Sequence, residues 1–118
     1  MTVQPYRIVT FERDRQWIAR AERADSGERF GIECAGETAD AARVRLERWL
    51  GWQREHAAAL EELQQAERAF HRAIAGGAFA NPLEGPSAIE IQKESLEAVE
   101  AARVRLDEIR ARNPEGTP

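Results

Sequence analysis

A chain of 118 residues with 32% charged and 7% aromatic side chains has room for one ordinary hydrophobic core and carries the balance of a helix-rich soluble protein. Its formal charge of −4 includes no basic block, because Arg43, Arg45 and Arg48 are interleaved with Asp40 and Glu47; nucleic acid is therefore not an expected partner. Cys34 is the sole cysteine, which excludes an intramolecular disulfide and a Cys-based zinc site, and no apolar run approaches the ~18 residues of a membrane span.

The first residues carry Tyr6, Arg7, Glu12 and Arg13 where a signal peptide needs an apolar stretch, so a cytoplasmic setting and no membrane partner are expected. Three short strands follow, Tyr6–Phe11, Trp17–Ala24 and Arg29–Ala35, separated by Asp14-Arg15 and by the turn-forming Asp25-Ser26-Gly27. Trp17, Ala19 and Ala21 alternate with Ile18, Arg20 and Glu22, and Phe30, Ile32 and Cys34 alternate with Arg29, Gly31 and Glu33. That pattern predicts an antiparallel meander with one apolar face, which is marginal until something covers it.

Gly36-Glu37-Thr38 supplies a turn and an N-cap threonine, and no proline interrupts residues 39–75, so a single helix of roughly 55 Å is expected there. Gly51 is its only weak point. The glycines and prolines of residues 76–86 predict a loop. Ser87 and Glu90 form a Ser-x-x-Glu capping box that opens a second helix, running to Arg112 before Asn113-Pro114 stops it.

The expected architecture is thus α+β: a three-stranded antiparallel meander packed on the start of a long helix, continuing into an antiparallel helical hairpin resembling a coiled-coil stalk. As one domain of residues 1–118, it comprises a head of residues 1–50, a stalk of residues 51–112 and a flexible tail of residues 113–118.

In the stalk, Leu46, Trp49, Gln53, His56, Leu60, Leu63, Glu67, Phe70 and Ile74 step by threes and fours along the first helix. Ile89, Gln92, Leu96, Val99, Arg103, Leu106 and Ile109 do so along the second, predicting the seam of the hairpin. Beside it runs a second stripe, Trp52, Ala59, Ala66 and Ala73. Together they give a bundle-like apolar face that one seam does not hide, and the reading is a homodimer of hairpins. Its expected interface is Trp52, Ala59, Leu60, Leu63, Ala66, Phe70, Ala73 and Ile74. The competing reading of the stripe is that alanine is simply a good exposed helix former.

Catalytic, cofactor and metal residues are assigned to none. His56 reads as a tolerated polar residue on the seam, and Glu67 with His71 as a helix-stabilising i,i+4 pair more than as metal ligands. Cys34 reads as a small core residue, and the glycine-rich segment lacks the lysine of a phosphate-binding loop. The near-repeat of residues 41–47 at 101–107 is two copies of similar composition under similar spacing, too few for a repeat array.

From Tyr6-Arg7-Ile8-Val9 through Gly36, Thr38 and Ala42, residues 6–50 resemble the N-terminal unit of HicB-like antitoxins, which opens on a Tyr-led strand and enters its helix through a Gly-x-Thr-x-x-x-Ala turn. The family's fold returns to a strand after a short helix, whereas here the helix runs on. The resemblance implies a shared head topology and a role in binding a partner protein. The functional expectation is a non-enzymatic interaction module, a small dimeric adaptor or regulator of which an antitoxin-like inhibitor is a special case. A nucleic-acid-associated regulator using the sheet and Arg43, Arg45 and Arg48 is the alternative, and an enzyme the third reading.

Overall fold

The computed structural model describes residues 5–77 and 88–115. Three strands, β1 (Tyr6–Arg13), β2 (Gln16–Arg23) and β3 (Arg29–Gly36), form an antiparallel sheet in the order β1-β2-β3, followed by helices α1 (Ala39–Gly77) and α2 (Ala88–Ala111). The expected loop residues 78–86, the capping serine Ser87 and the last residues of the expected tail, 116–118, lie outside the described residues. The chain divides within α1 into two compact units, one ending at Trp52 and the other beginning at Gln53.

In the first unit, β1 and β2 meet at a two-residue turn in which Asp14 and Arg15 both take positive φ, 52° and 66°. This is the signature of the type I′ turn, whose twist matches that of the strands it joins. The second turn uses Gly27 at φ 73°, with its amide donating to the Arg23 carbonyl at 2.8 Å.

The alternation read from β3 is broken once. Arg20 pairs with Glu33 but Ala21 pairs with Phe30, so Gly31 and Ile32 bulge out of the ladder. Gly31 has φ 77°, and a Cβ there would stand 2.6 Å from the Trp49 indole. Glycine is thus required twice over, by the backbone and by the ring packed on it.

Thr38 caps α1 as expected: its hydroxyl accepts from the Ala41 amide at 3.0 Å, and its carbonyl takes the first helical bond, from Ala42, at 3.1 Å. Gly36 is needed at this entry because a Cβ would stand 2.5 Å from the Ala42 nitrogen. The helix then presents Ala42, Leu46, Trp49 and Leu50, spaced to share one face, to Ala19, Ala21 and Cys34 of the sheet. Small residues at the centre of β2 let the helix sit close, while Tyr6, Ile8, Trp17, Phe30, Ile32 and Trp52 close the rim of this core. Truncating Leu46, which is fully buried, to alanine costs about 2–5 kcal/mol on the usual scale for such sites.

In the second unit the two helices form an antiparallel hairpin whose register is fixed by contacts along its length. Gln92 donates to the Ala73 carbonyl, Arg105 pairs with Glu62, Arg110 Nε donates to His56 Nε2, and Arg112 pairs with Glu55. Residue numbers rise on α2 as they fall on α1 at a constant offset. The seam consists of His56, Ala59, Leu63, Ala66, Phe70 and Ala73 against Gln92, Ser95, Val99, Ala102, Leu106 and Ile109, all buried or half-buried.

This differs from the expected seam by one position on much of each helix. Leu96 and Arg103 are exposed and give their places to Ser95 and Ala102; on α1 Ile74 is exposed beside half-buried Ala73, while Leu60 and Glu67 stay half-buried beside Ala59 and Ala66. The physical reason is steric. Small side chains at every seventh position let two backbones approach until Leu63, Val99 and Leu106 fill the space between them.

Candidate functional site

The described residues offer two surfaces on which function could rest. The first is the face of the sheet turned away from α1. Register places Phe11, Ile18 and Ala35 in one row across it, with Val9, Arg20 and Glu33 in the next. Glu33 accepts from Arg13 on β1 and Arg29 on β3, each at 2.8 Å, so that a bridge crosses β2 above Ile18. Glu22 similarly holds Arg20 at 2.8 Å and Arg7 at 3.7 Å. The guanidinium groups of Arg20 and Arg13 lie 5.2 and 5.7 Å from the centre of the Phe11 ring, within cation–π range.

Ile18 is consequently only 5% exposed although it lies on the face read as wet. Arginine stems and the ion bridge cover it, a use of long charged side chains that the alternation alone does not reveal. At Glu33, burial opposes the charged carboxylate, but the hydrogen bonds and charges of Arg13 and Arg29 outweigh it and hold the group below the usual glutamate range. This face is largely closed upon itself.

The second surface belongs to the hairpin. Its two flanks differ in chemistry. One flank carries the Glu62–Arg105 and Glu55–Arg112 pairs, at 3.7 and 3.9 Å, whose members are all more than half exposed. Such pairs contribute little to stability but help to set register. A groove of about 530 Å³ beside them is lined by Glu55, Ala58, Arg105, Glu108, Ile109 and Arg112, a mostly charged wall.

The opposite flank is more aliphatic. It carries Leu60, Glu67 and Ile74 on α1 and Ile89, Leu96 and Arg103 on α2. Ile74, Ile89 and Leu96 are 47%, 77% and 41% exposed, so large aliphatic groups face water on one side of a folded hairpin. Ile91 and Val104 are also exposed but lie on other faces.

The residues expected at a dimer interface are distributed between these settings. Ala59 and Leu63 are buried inside their own chain, and Ala66, Phe70 and Ala73 are half-buried in the same seam. Trp52 belongs to the first unit, where it packs on the sheet core with its ring 6.3 Å from that of Trp49. Leu60 is half-buried and Ile74 is exposed. Ala59 is therefore covered without a second copy and Ala66 and Ala73 are half-covered, and Ile89 and Leu96, placed in the seam by sequence reasoning, join Ile74 on the open flank.

Of the polar candidates, His56 accepts from Arg110 at 3.3 Å, His71 is exposed, and Cys34 is 2% exposed in the sheet–helix core. Among the described residues no cluster of His, Cys, Asp and Glu is arranged to hold a metal ion, and no helix is long and apolar enough to cross a membrane.

No protein-family model matches this sequence, and no curated protein or solved structure matches it either.

Proposed function

We propose that the protein is a non-enzymatic protein–protein interaction module: a small homodimeric adaptor or regulator in which hairpins associate in the manner of a coiled-coil bundle. The observation that carries this reading is the row of Ile74, Ile89 and Leu96 left facing water on one flank while the other flank is charged. A contiguous apolar flank on a folded helical pair is the usual mark of a docking surface, because covering it recovers the hydrophobic free energy the single chain leaves unused. A cytoplasmic setting suits the lone thiol of Cys34. An inhibitor of the antitoxin kind, using the head as the HicB-like resemblance implies, is the special case in which the dimer presents its sheet to a second protein.

Ile74→Asp tests the reading, since its side chain is half exposed in the single chain and its replacement spares the seam. Sedimentation should show the variant dissociating at concentrations where the wild type is dimeric, with the helical circular dichroism unchanged. Val104→Asp, on another face, should sediment as wild type. Equal association of Ile74→Asp and wild type would remove this flank from the account.

One observation favours a nucleic-acid-associated role as the second reading: Arg13 and Arg20 lie over Phe11 on the outer sheet face, which also carries Arg7 and Arg29. Glu22 and Glu33 each engage two of these arginines, which cancels half of the charge offered to phosphates. Submicromolar binding of duplex or single-stranded nucleic acid at physiological salt would promote this reading over the first.

A further inference from the structure

The homodimer proposed above leaves open how two hairpins meet, and the charges on the apolar flank bear on this. Glu67 and Arg103 have no ion partner among the described residues, whereas Glu55, Glu62, Arg105 and Arg112 of the other flank are paired within the chain. Their positions follow from the hairpin register. Gln92 lies level with Ala73, Arg105 with Glu62 and Arg110 with His56. By the same offset Ile89 falls level with the end of α1, Leu96 with Phe70 and Arg103 with Leu63. Read along the flank toward the end of α1, the groups are Leu60, Arg103, Glu67, Leu96, Ile74 and Ile89, alternating between the helices, with the charges in the middle and aliphatic residues beyond them.

We propose that two copies pack flank to flank about a two-fold axis parallel to the helices, so that α1 of each chain lies over α2 of the other and both α1 chains run in the same direction. This inference rests on the homodimer reading. A parallel axis preserves levels. Ile74 then enters between the levels of Leu96 and Ile89 of the second copy, and Glu67 lies beside Arg103 of that copy. Symmetry repeats each contact, giving an apolar cluster at one end and a pair of intermolecular ion contacts beside it.

The alternative two-fold axis, perpendicular to the helices, reverses levels and lays α1 on α1. With full overlap it sets Leu60 against Ile74 but also Glu67 against Glu67, Leu96 against Arg103 and Ile89 against Arg110. With overlap limited to the aliphatic end, it buries Ile74 and its neighbours but leaves Leu60, Glu67 and Arg103 uncovered. The parallel axis brings Ile74 to Leu96 and Ile89 and sets Glu67 beside Arg103, leaving only Leu60 level with charged groups, Arg103 and Arg110, whereas the perpendicular axis sets Glu67 against its own copy.

Charge reversal with mixing provides the test. Glu67→Arg sets like charges against Arg103 of the second copy, and Arg103→Glu does the same against Glu67, so each variant alone should dissociate about tenfold more readily than wild type. An equimolar mixture of the two restores both pairs, and native mass spectrometry, which separates the chains by mass, should show the heterodimer dominating at close to wild-type affinity. The neutral variants Glu67→Gln and Arg103→Gln should weaken the dimer in the same direction, and they keep the test open should a reversal disturb the hairpin itself. A monomeric wild type would overturn the homodimer reading and this arrangement with it. A dimeric wild type whose Arg103 variants associate normally, or whose mixed reversals fail to recover, would overturn the arrangement alone.

Discussion

Gly31 shows how much one residue can fix. Its positive φ opens the bulge in β3, and its missing side chain makes room for the Trp49 indole. Gly31→Ala should therefore lower the stability of the folded chain by about 2–4 kcal/mol, combining the left-handed backbone cost with the displaced ring, as read by urea denaturation. A loss below half a kcal/mol would mean that Trp49 moves aside freely. Sequence alternation cannot expose this role, because the two-residue shift at Arg20 and Ala21 returns Phe30 to the face it would have occupied without a bulge.

Glu33 makes a pH-dependent contribution whose sign is fixed by its environment. Its carboxyl is held below the ordinary value, so the folded state binds the proton less readily than the unfolded one. The stabilisation is fully present above the ordinary glutamate value and is lost as pH falls through the lower folded value. Glu33→Gln should flatten the acid limb of a melting-temperature profile over that window and leave the limb above neutrality unchanged. An acid limb identical to wild type would detach Glu33 from the Arg13 and Arg29 bridge. Because both arginines are more than half exposed, solvent screening keeps the effect at neutral pH small.

At the scale of elements, much of the fold could be read in advance because its signals are local. Asp25-Ser26-Gly27 and Gly36-x-Thr38 carry their turn and cap chemistry in a few adjacent residues, and the long proline-free run of α1 needs no tertiary information. The seam of the hairpin depends instead on which side of each helix meets the other. Alanine is ambiguous there: Ala59, Ala66 and Ala73 suit an exposed helix and a close helical contact equally well. Only the partner helix, with Ser95 and Ala102 facing them, decides the matter. Ala102→Leu should accordingly cost about 1–3 kcal/mol by forcing the helices apart, whereas Ala101→Leu on the exposed face should be nearly neutral in thermal melts. Equal effects of the two would return the alanine stripe to the surface.

At the scale of the whole molecule, the same reassignment changes the reason for expecting a second chain. The small residues that suggested an excess of apolar surface, Ala59, Ala66 and Ala73, are buried or half-buried within the hairpin, and Ile74, Ile89 and Leu96 are exposed instead. The proposed docking flank was legible only as individual apolar residues. Their grouping on one side, opposite the Glu55–Arg112 and Glu62–Arg105 pairs, appears once the register is known. Covering that flank with a second copy is the claim on which the account turns. Light scattering behind a sizing column at tens of micromolar tests it most directly: the account predicts a mass about twice the 13.3 kDa of the chain, and a mass of 13.3 kDa would contradict it.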